Sequence, residues 1–205
     1  AYDSMKEGAT QDVTVTYAVA DDHSATATGS FTITVTGTYD APVATFSTAQ
    51  SATEGASAIS GTLTSTDADD DATASYSVHG DAIDGLTLNT NGTWSFDPSH
   101  TAYDSIKQGA TQNVTVTYAV ADEHNATTTG SFVITVTGTN DAPVATFSTA
   151  QSATEGQAAI SGTLTSTDED DDATASYSVH GDAIDGLTIN TNGTWSFDPS
   201  HTAYD

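Results

Sequence analysis

Residues 102–202 repeat residues 1–101 with only twelve substitutions, and no other feature restricts the possible folds as strongly. A chain with this period is built from units of about 100 residues, each folding by itself or against an adjoining copy. The segment AYDSMKEGATQDVTVTYAVADDH from Ala1 returns as AYDSIKQGATQNVTVTYAVADEH from Ala102, and AYD stands again at Ala203. Ala68 against Glu169 and Leu88 against Ile189 are among the substitutions. Near-identity of this kind argues that copy number and length matter more than the individuality of each unit. Enzymes rarely occur as tandem near-copies, whereas spacers do.

The repeat has natural boundaries. Thr-Tyr-Asp-Ala-Pro at 38–42 and Thr-Asn-Asp-Ala-Pro at 139–143 read as linkers. Proline cannot continue a central strand, and it forces the residue before it into extended geometry. A complete domain is therefore expected at 41–141. Residues 1–40 form the C-terminal part of a preceding unit, and residues 142–205 the N-terminal part of a following one. Because 142–205 followed by 1–40 rebuilds one whole unit, head-to-tail complementation between neighbouring molecules is an expected mode of association. Adjacent repeats of the same chain are the other expected partners.

Within 41–141 the apolar pattern has period two. Val114, Val116, Tyr118 and Val120 alternate with Thr115, Thr117 and Ala119, and Phe132, Ile134 and Val136 do the same against Thr135 and Thr137. Leu86 and Leu88 lead through Asn89-Thr90-Asn91-Gly92 into Trp94 and Phe96, a hairpin whose Asn and Gly supply the positive φ angles of a tight turn. Further short strands fit Val43–Ser47, Ile59–Thr64 and Thr73–Val78, and no segment reads as an amphipathic helix. The fold class is all-β: tandem Ig-like antiparallel β-sandwich repeats of about 101 residues. Trp94 and Tyr118 belong to the core on this pattern rather than to a carbohydrate platform.

The composition removes several function classes. The 205 residues include 28 Asp plus Glu, 2 Lys plus Arg and no Cys, for a formal net charge of −26. Nucleic-acid binding needs a cationic stripe that Lys6 and Lys107 cannot supply, and an anionic membrane surface repels such a chain. Disulfides and thiolate zinc sites are excluded. No apolar run approaches the roughly 18 residues of a transmembrane helix. The 6 Phe, 8 Tyr and 2 Trp, with Thr and Val throughout, separate the chain from a disordered acidic tail. So much negative charge on a folded body is self-repelling, which calls for a cationic partner.

The carboxylates collect in loops and at strand ends. Thr66-Asp67-Ala68-Asp69-Asp70-Asp71 connects two strands, and Asp168-Glu169-Asp170-Asp171-Asp172 is its copy. Taken alone, either run is most simply a solvated loop. Glu54 in Ala-Thr-Glu-Gly, Asp122 at the end of a long strand and Asn140-Asp141 in the linker point further, because linkers and strand ends of successive sandwiches meet at a junction. Hard oxygen donors without Cys suit Ca²⁺, which takes six to eight oxygens. The cluster is not an EF-hand, since Ala72 stands where that loop needs Gly and Val78 where it needs Glu.

The order Glu-Gly, Leu-Thr-Ser-Thr-Asp-Ala-Asp-Asp-Asp, Tyr76-Ser77-Val78, Val120-Ala121-Asp122 and Val136-Thr137-Gly138-Thr139-Asn140-Asp141-Ala142-Pro143 resembles a bacterial cadherin-like repeat. More closely, it is similar to the VCBS-type extender repeats of giant repeats-in-toxin (RTX) biofilm adhesins, including the extender region of an ice-binding adhesin. The resemblance covers the whole chain and implies a secreted, cell-surface location. It implies tandem sandwiches stiffened by several Ca²⁺ ions, projecting a distal ligand-binding region for adhesion and biofilm formation. Carried onto this sequence, the cadherin pattern puts Glu54, Asp67, Asp69, Asp122, Asn140, Asp141, Glu155, Asp168 and Asp170 at calcium-ligand positions. Asp21, Asp40, Asp71, Asp104 and Asp172 are further candidates. At the second linker, Asp122, Asn140 and Asp141 are expected to meet Glu155, Asp168 and Asp170. At the first, Tyr39 replaces Asn140, so that junction is expected to use a backbone carbonyl or to hold one ion fewer.

Catalysis is not expected. The six histidines are three positions seen twice, and none enters a Ser-His-Asp or zinc pattern. Two function classes remain. One is a calcium-rigidified extender; the other is a calcium-dependent module that binds carbohydrate or protein. Calcium-mediated contact between parallel fibres is compatible with the first.

Overall fold

A computed structural model describes residues 2–70 and 72–204. The strands in chain order are β1 (Thr10–Ala20), β2 (Thr26–Thr36), β3 (Val43–Ala44), β4 (Gln50–Thr53), β5 (Ile59–Thr62), β6 (Ser65–Thr66), β7 (Ser75–Val78) and β8 (Leu86–Leu88). They continue with β9 (Thr93–Phe96), β10 (Thr111–Ala121), β11 (Thr127–Thr137), β12 (Val144–Ala145), β13 (Ile160–Thr163), β14 (Ser166–Thr167), β15 (Leu187–Ile189) and β16 (Thr194–Phe197). Helix is confined, among the described residues, to a single 3₁₀ turn at Thr202–Tyr204. By internal contacts the chain divides into two compact units. One comprises Ala1–Ser51, Ser57–Asp97 and Asn113–Thr135; the other comprises Ala52–Ala56, Pro98–Gln112 and Val136–Asp205.

Within the repeat expected at 41–141, a four-stranded sheet in the order β4-β11-β10-β7 and a three-stranded sheet in the order β5-β9-β8 make a sandwich. The short strands β3 and β6 pair with each other as a separate two-stranded sheet. The alternation read from sequence places Val116, Tyr118 and Val120 of β10 and Phe132, Ile134 and Val136 of β11 in the core. Phe132 meets the rings of Phe46 and Trp94 at 5.1 and 5.2 Å, which binds the two sheets together. The Tyr118 hydroxyl donates to the Phe46 carbonyl at 2.8 Å, so its ring is buried while its polar tip is satisfied.

Two glycines are dictated by this packing. Gly92 holds φ 85° in the turn between β8 and β9, where its N–H donates to the Asn89 carbonyl at 2.9 Å. Gly130 lies under the Tyr118 ring, where a Cβ would sit 2.5 Å from the hydroxyl oxygen.

Near-identical sequence gives different structure elsewhere in the chain. β1 and β2 pair in full register from Thr10↔Thr36 to Ala20↔Thr26, with the alternation of β10 and β11, yet Tyr17, Val19, Phe31 and Ile33 are exposed. β13-β16-β15 reproduces the sheet β5-β9-β8. Residues 151–154 and 176–179, the counterparts of β4 and β7, are not strands. In the complete repeat those segments are edge strands laid along β11 and β10. Without such a pair, their backbone groups have no ladder to join.

Candidate metal centres

Around the second linker the turn after β4 brings in Glu54, a side chain only 5% exposed. Its Oε2 accepts the Thr139 N–H at 2.7 Å, which ties it to the linker. The acidic loop after β14 folds on itself: Asp168 Oδ1 accepts the Asp170 N–H at 3.1 Å, and Asp170 Oδ2 accepts the Asp141 N–H at 3.0 Å. Asp171 N–H donates to the Ser105 carbonyl at 3.1 Å, bringing Asp104 to the same place. Asn140, Asp141, Asp168, Asp170, Asp171 and Asp172 line one cleft of about 410 Å³.

Burial pushes the Glu54 carboxyl pKa up, opposed by the Thr139 N–H and reinforced by Asp141, Asp170 and Asp104. Glu169 is pushed up first by the charge of Asp104, then by partial burial and by Asp141. Glu54 Oε1, Asp141 Oδ2 and Asp170 Oδ1 are buried and have no hydrogen-bond partner. An oxygen in that state costs about 1–3 kcal/mol unless something cationic meets it. The donor set is all oxygen, from carboxylates and one carboxamide, and it fits a hard cation such as Ca²⁺.

The same construction recurs at the first linker. Asp67 Oδ1 accepts the Asp69 N–H at 3.0 Å, Asp69 Oδ2 accepts the Asp40 N–H at 3.0 Å, and Asp70 N–H donates to the Ser4 carbonyl at 3.0 Å. Asp67 Oδ2 and Asp69 Oδ1 are buried without partners. Partial burial raises the Asp40 pKa, with Asp69, Asp3 and Asp67 adding to it.

Asp122 completes this group in a different electrostatic state. Its Oδ1 caps the loop after β10 by accepting the N–H groups of His124 and Ala126 at 2.8 and 3.0 Å, and its Oδ2 accepts the Tyr39 hydroxyl. Burial pushes its pKa up, but Tyr39, the two amides and His124 outweigh this and hold it below the usual range. Tyr39 stacks edge-on against His124 at 5.1 Å. Its phenol is pushed up to about 12 by desolvation and by the Asp122 carboxylate.

These positions correct the grouping expected at the second linker. Asp141 does meet Asp170, but the glutamate of that group is Glu54; Glu155 is an exposed residue in the turn that follows 151–154. Asp122 belongs with Tyr39 and Asp67, because it caps the β10–β11 turn and the whole of β11 follows before the chain reaches Asn140.

Among the further candidates, Asp40 and Asp104 join the clusters. Asp172 is instead neutralised by Lys107, whose Nζ lies 2.6 Å from its Oδ2. Asp21 sits with Asp22 and His23 in an exposed loop and accepts the His23 and Ala25 N–H groups, as Asp122 does in the complete repeat. Asp71 lies outside the described residues. Sequence reasoning missed Asp3 and took Glu169 only as a member of the acidic run, not as a ligand position. The near-identity of Ala-Tyr-Asp-Ser at 1–4 and 102–105 was a usable signal for Asp3, since it pairs that residue with Asp104.

Comparison with known proteins bears on the fold. Residues 39–135 match the family described as the bacterial Ig domain. Among solved structures, the chain is similar to mouse cadherin-23 repeats EC22–24, with a TM-score of 0.53, 19% identity and coverage of 91% of this chain and 63% of that one. It is similar to human CDH23 repeats EC21–23, with a TM-score of 0.54, 18% identity and coverage of 91% and 63%. Protocadherin gamma B2 extracellular cadherin domains 1–5 match with a TM-score of 0.54, 14% identity and coverage of 91% and 38%. The chain thus spans less than two thirds of each of these structures. No curated protein matches it. The fold is thus an all-β, Ig-like and cadherin-like antiparallel β-sandwich.

Proposed function

We propose that this chain is a run of calcium-dependent, cadherin-like repeats from an extracellular bacterial adhesin, with a complete repeat at 41–141 and parts of two others on either side. The observation that carries the reading is the set of buried, unpaired carboxylate oxygens of Glu54, Asp141 and Asp170, repeated in part by Asp67 and Asp69. Ca²⁺ would be held by Glu54, Asp104, Asp141, Asp168 and Asp170 at the second linker, and by Asp40, Asp67, Asp69 and Asp122 at the first. A cation there offsets carboxylate repulsion and joins a strand-end glutamate, a linker and an acidic loop, which removes bending freedom from the linker.

The likeness to extracellular cadherin repeats supports adhesion as such, and with it a repeat that is itself a binding module. The extender reading of an RTX-type adhesin rests on a separate observation, the near-identity of the repeats. A distinctive binding surface in one unit is not what near-copies provide. The test is a thermal melt in EDTA, in Mg²⁺ and across a Ca²⁺ titration, with small-angle scattering at both ends. Binding to the native state raises the midpoint as the ion passes its dissociation constant. A Ca²⁺-specific rise with narrowed linker motion is expected. An unchanged midpoint makes the acidic loops solvated surface and overturns the proposal. A rise without stiffening favours the binding module over the extender.

A further inference from the structure

The turn between β8 and β9 carries an Asn-Gly pair, Asn91-Gly92, and the turn between β15 and β16 carries its copy, Asn192-Gly193. Every other asparagine precedes Thr, Val, Ala or Asp, whose side chains crowd the following peptide nitrogen. Glycine leaves that nitrogen open, and its backbone freedom lets it swing onto the asparagine side chain. Asn91 and Asn192 are exposed, so water reaches both carboxamides. Such a pair reacts without enzyme, metal or oxidant. The Gly92 nitrogen bonds to Asn91 Cγ, the carboxamide nitrogen leaves with the displaced proton as ammonia, and a five-membered succinimide remains. Water then opens the ring at either carbonyl. One product is aspartate; the other is isoaspartate, with the main chain rerouted through the side chain.

The folded turn engages both reacting groups elsewhere. Gly92 N–H donates to the Asn89 carbonyl at 2.9 Å, and the Gly92 carbonyl accepts the Leu63 N–H at 2.8 Å. Asn91 Oδ1 accepts the Thr93 N–H at 3.0 Å and the Thr93 hydroxyl at 2.7 Å, which fixes the rotation of its carboxamide. The Thr90 carbonyl accepts the Tyr76 N–H at 3.0 Å, so the turn is fastened from outside as well. The copy repeats this: Gly193 N–H meets the Asn190 carbonyl at 2.9 Å, and Asn192 Oδ1 accepts the Thr194 N–H and hydroxyl at 3.1 and 2.8 Å. We infer that Asn91 and Asn192 are self-modification sites latched shut by the folded turn, so that the modification accumulates in repeats that open. The rate then tracks the population of the open form. Each event turns a neutral residue into a carboxylate on a chain of formal net charge −26. Isoaspartate also lengthens the main chain by one methylene. A turn whose Asn89 N–H meets the Thr93 carbonyl at 2.9 Å and whose Gly92 holds φ 85° cannot close around it in the same register. An opened repeat is thereby marked irreversibly.

Peptide mapping by mass spectrometry after incubation at mildly alkaline pH, folded and in urea, reads each asparagine separately. In urea, Asn91 and Asn192 are expected to convert ahead of the other asparagines; in the folded chain both are expected to slow by about tenfold or more. Thr93→Val keeps a β-branched strand residue and the backbone N–H bond but removes the hydroxyl from Asn91 Oδ1. In the folded variant Asn91 is expected to convert several-fold faster than in wild type, with Asn192 unchanged as the internal reference and urea rates equal. Folded and urea rates that coincide overturn the inference, as does a urea sample in which the two Asn-Gly sites have no lead. An Asn91 that keeps its wild-type rate in Thr93→Val overturns it too. Should Thr93→Val open the whole repeat, a urea series on wild type decides: Asn91 conversion is expected to rise in step with loss of exchange protection at the Leu63 and Tyr76 amides, which bind the turn. Conversion that does not follow that loss overturns the latch.

Discussion

Glu54→Gln is expected to change the sign of its effect with the ion present. The carboxylate is 5% exposed, gives Oε2 to the Thr139 N–H at 2.7 Å and leaves Oε1 with no partner among like charges. Glutamine keeps the acceptor for Thr139, removes the charge and turns an amide donor toward the neighbouring carboxylates. In EDTA this relieves the cost of a buried unpaired oxygen, about 1–3 kcal/mol. At about 4–8 °C per kcal/mol for a domain of this size, the melting midpoint rises by several degrees. In saturating Ca²⁺ the same change removes a charged ligand, and each tenfold loss of affinity forfeits about 1.4 kcal/mol of ion-linked stability. The variant then melts below wild type. Calorimetric melts of both proteins in both buffers, with a calcium titration of each, check the inversion. The same sign in both buffers, or an unchanged calcium-dependent rise in the variant, would refute the reasoning.

Three further outcomes are expected. In EDTA, lowering pH from neutral toward 5 should stabilise the protein: Glu54, Asp40 and Glu169 have folded pKa values above their unfolded ones, so their ionisation costs stability as pH rises. Below about pH 4 the trend reverses, because Asp122, Glu123, Asp172 and Asp198 are depressed and lose their contribution on protonation; melts across pH read both limbs. Phe132→Ala should cost about 3–5 kcal/mol, since Phe132 joins Phe46 and Trp94 in the core, while the matching Phe31→Ala, at a half-exposed ring, should leave that core's melt unchanged. Tyr39→Asn removes the hydroxyl donor from Asp122, so the Asp122 pKa should rise by NMR titration and the first linker should take up calcium more tightly by isothermal titration; an unchanged isotherm would show that Tyr39 does not restrict that site.

Much of this protein follows from local chemistry. Period-two alternation in Val114–Val120 and Phe132–Val136, the Asn-Gly turn before Trp94 and the prolines at 42 and 143 determine an all-β repeat and its strands, because a β-strand exposes alternate side chains to opposite faces and needs no distant information to do so. The all-oxygen donor set of the acidic loops was equally legible, since it is a matter of composition alone. Which carboxylates converge was not. Glu54 reaches Asp141 and Asp170 only because the turn after β4 meets the end of β11, a matter of strand order and direction that spacing along the chain does not encode. Tyr39 read as a poor ligand, yet its hydroxyl and the Asp122 carboxylate are brought together from 83 residues apart. The same holds for burial: Tyr17 and Tyr118 stand in near-identical strands, and only the presence of a facing sheet makes one surface and the other core.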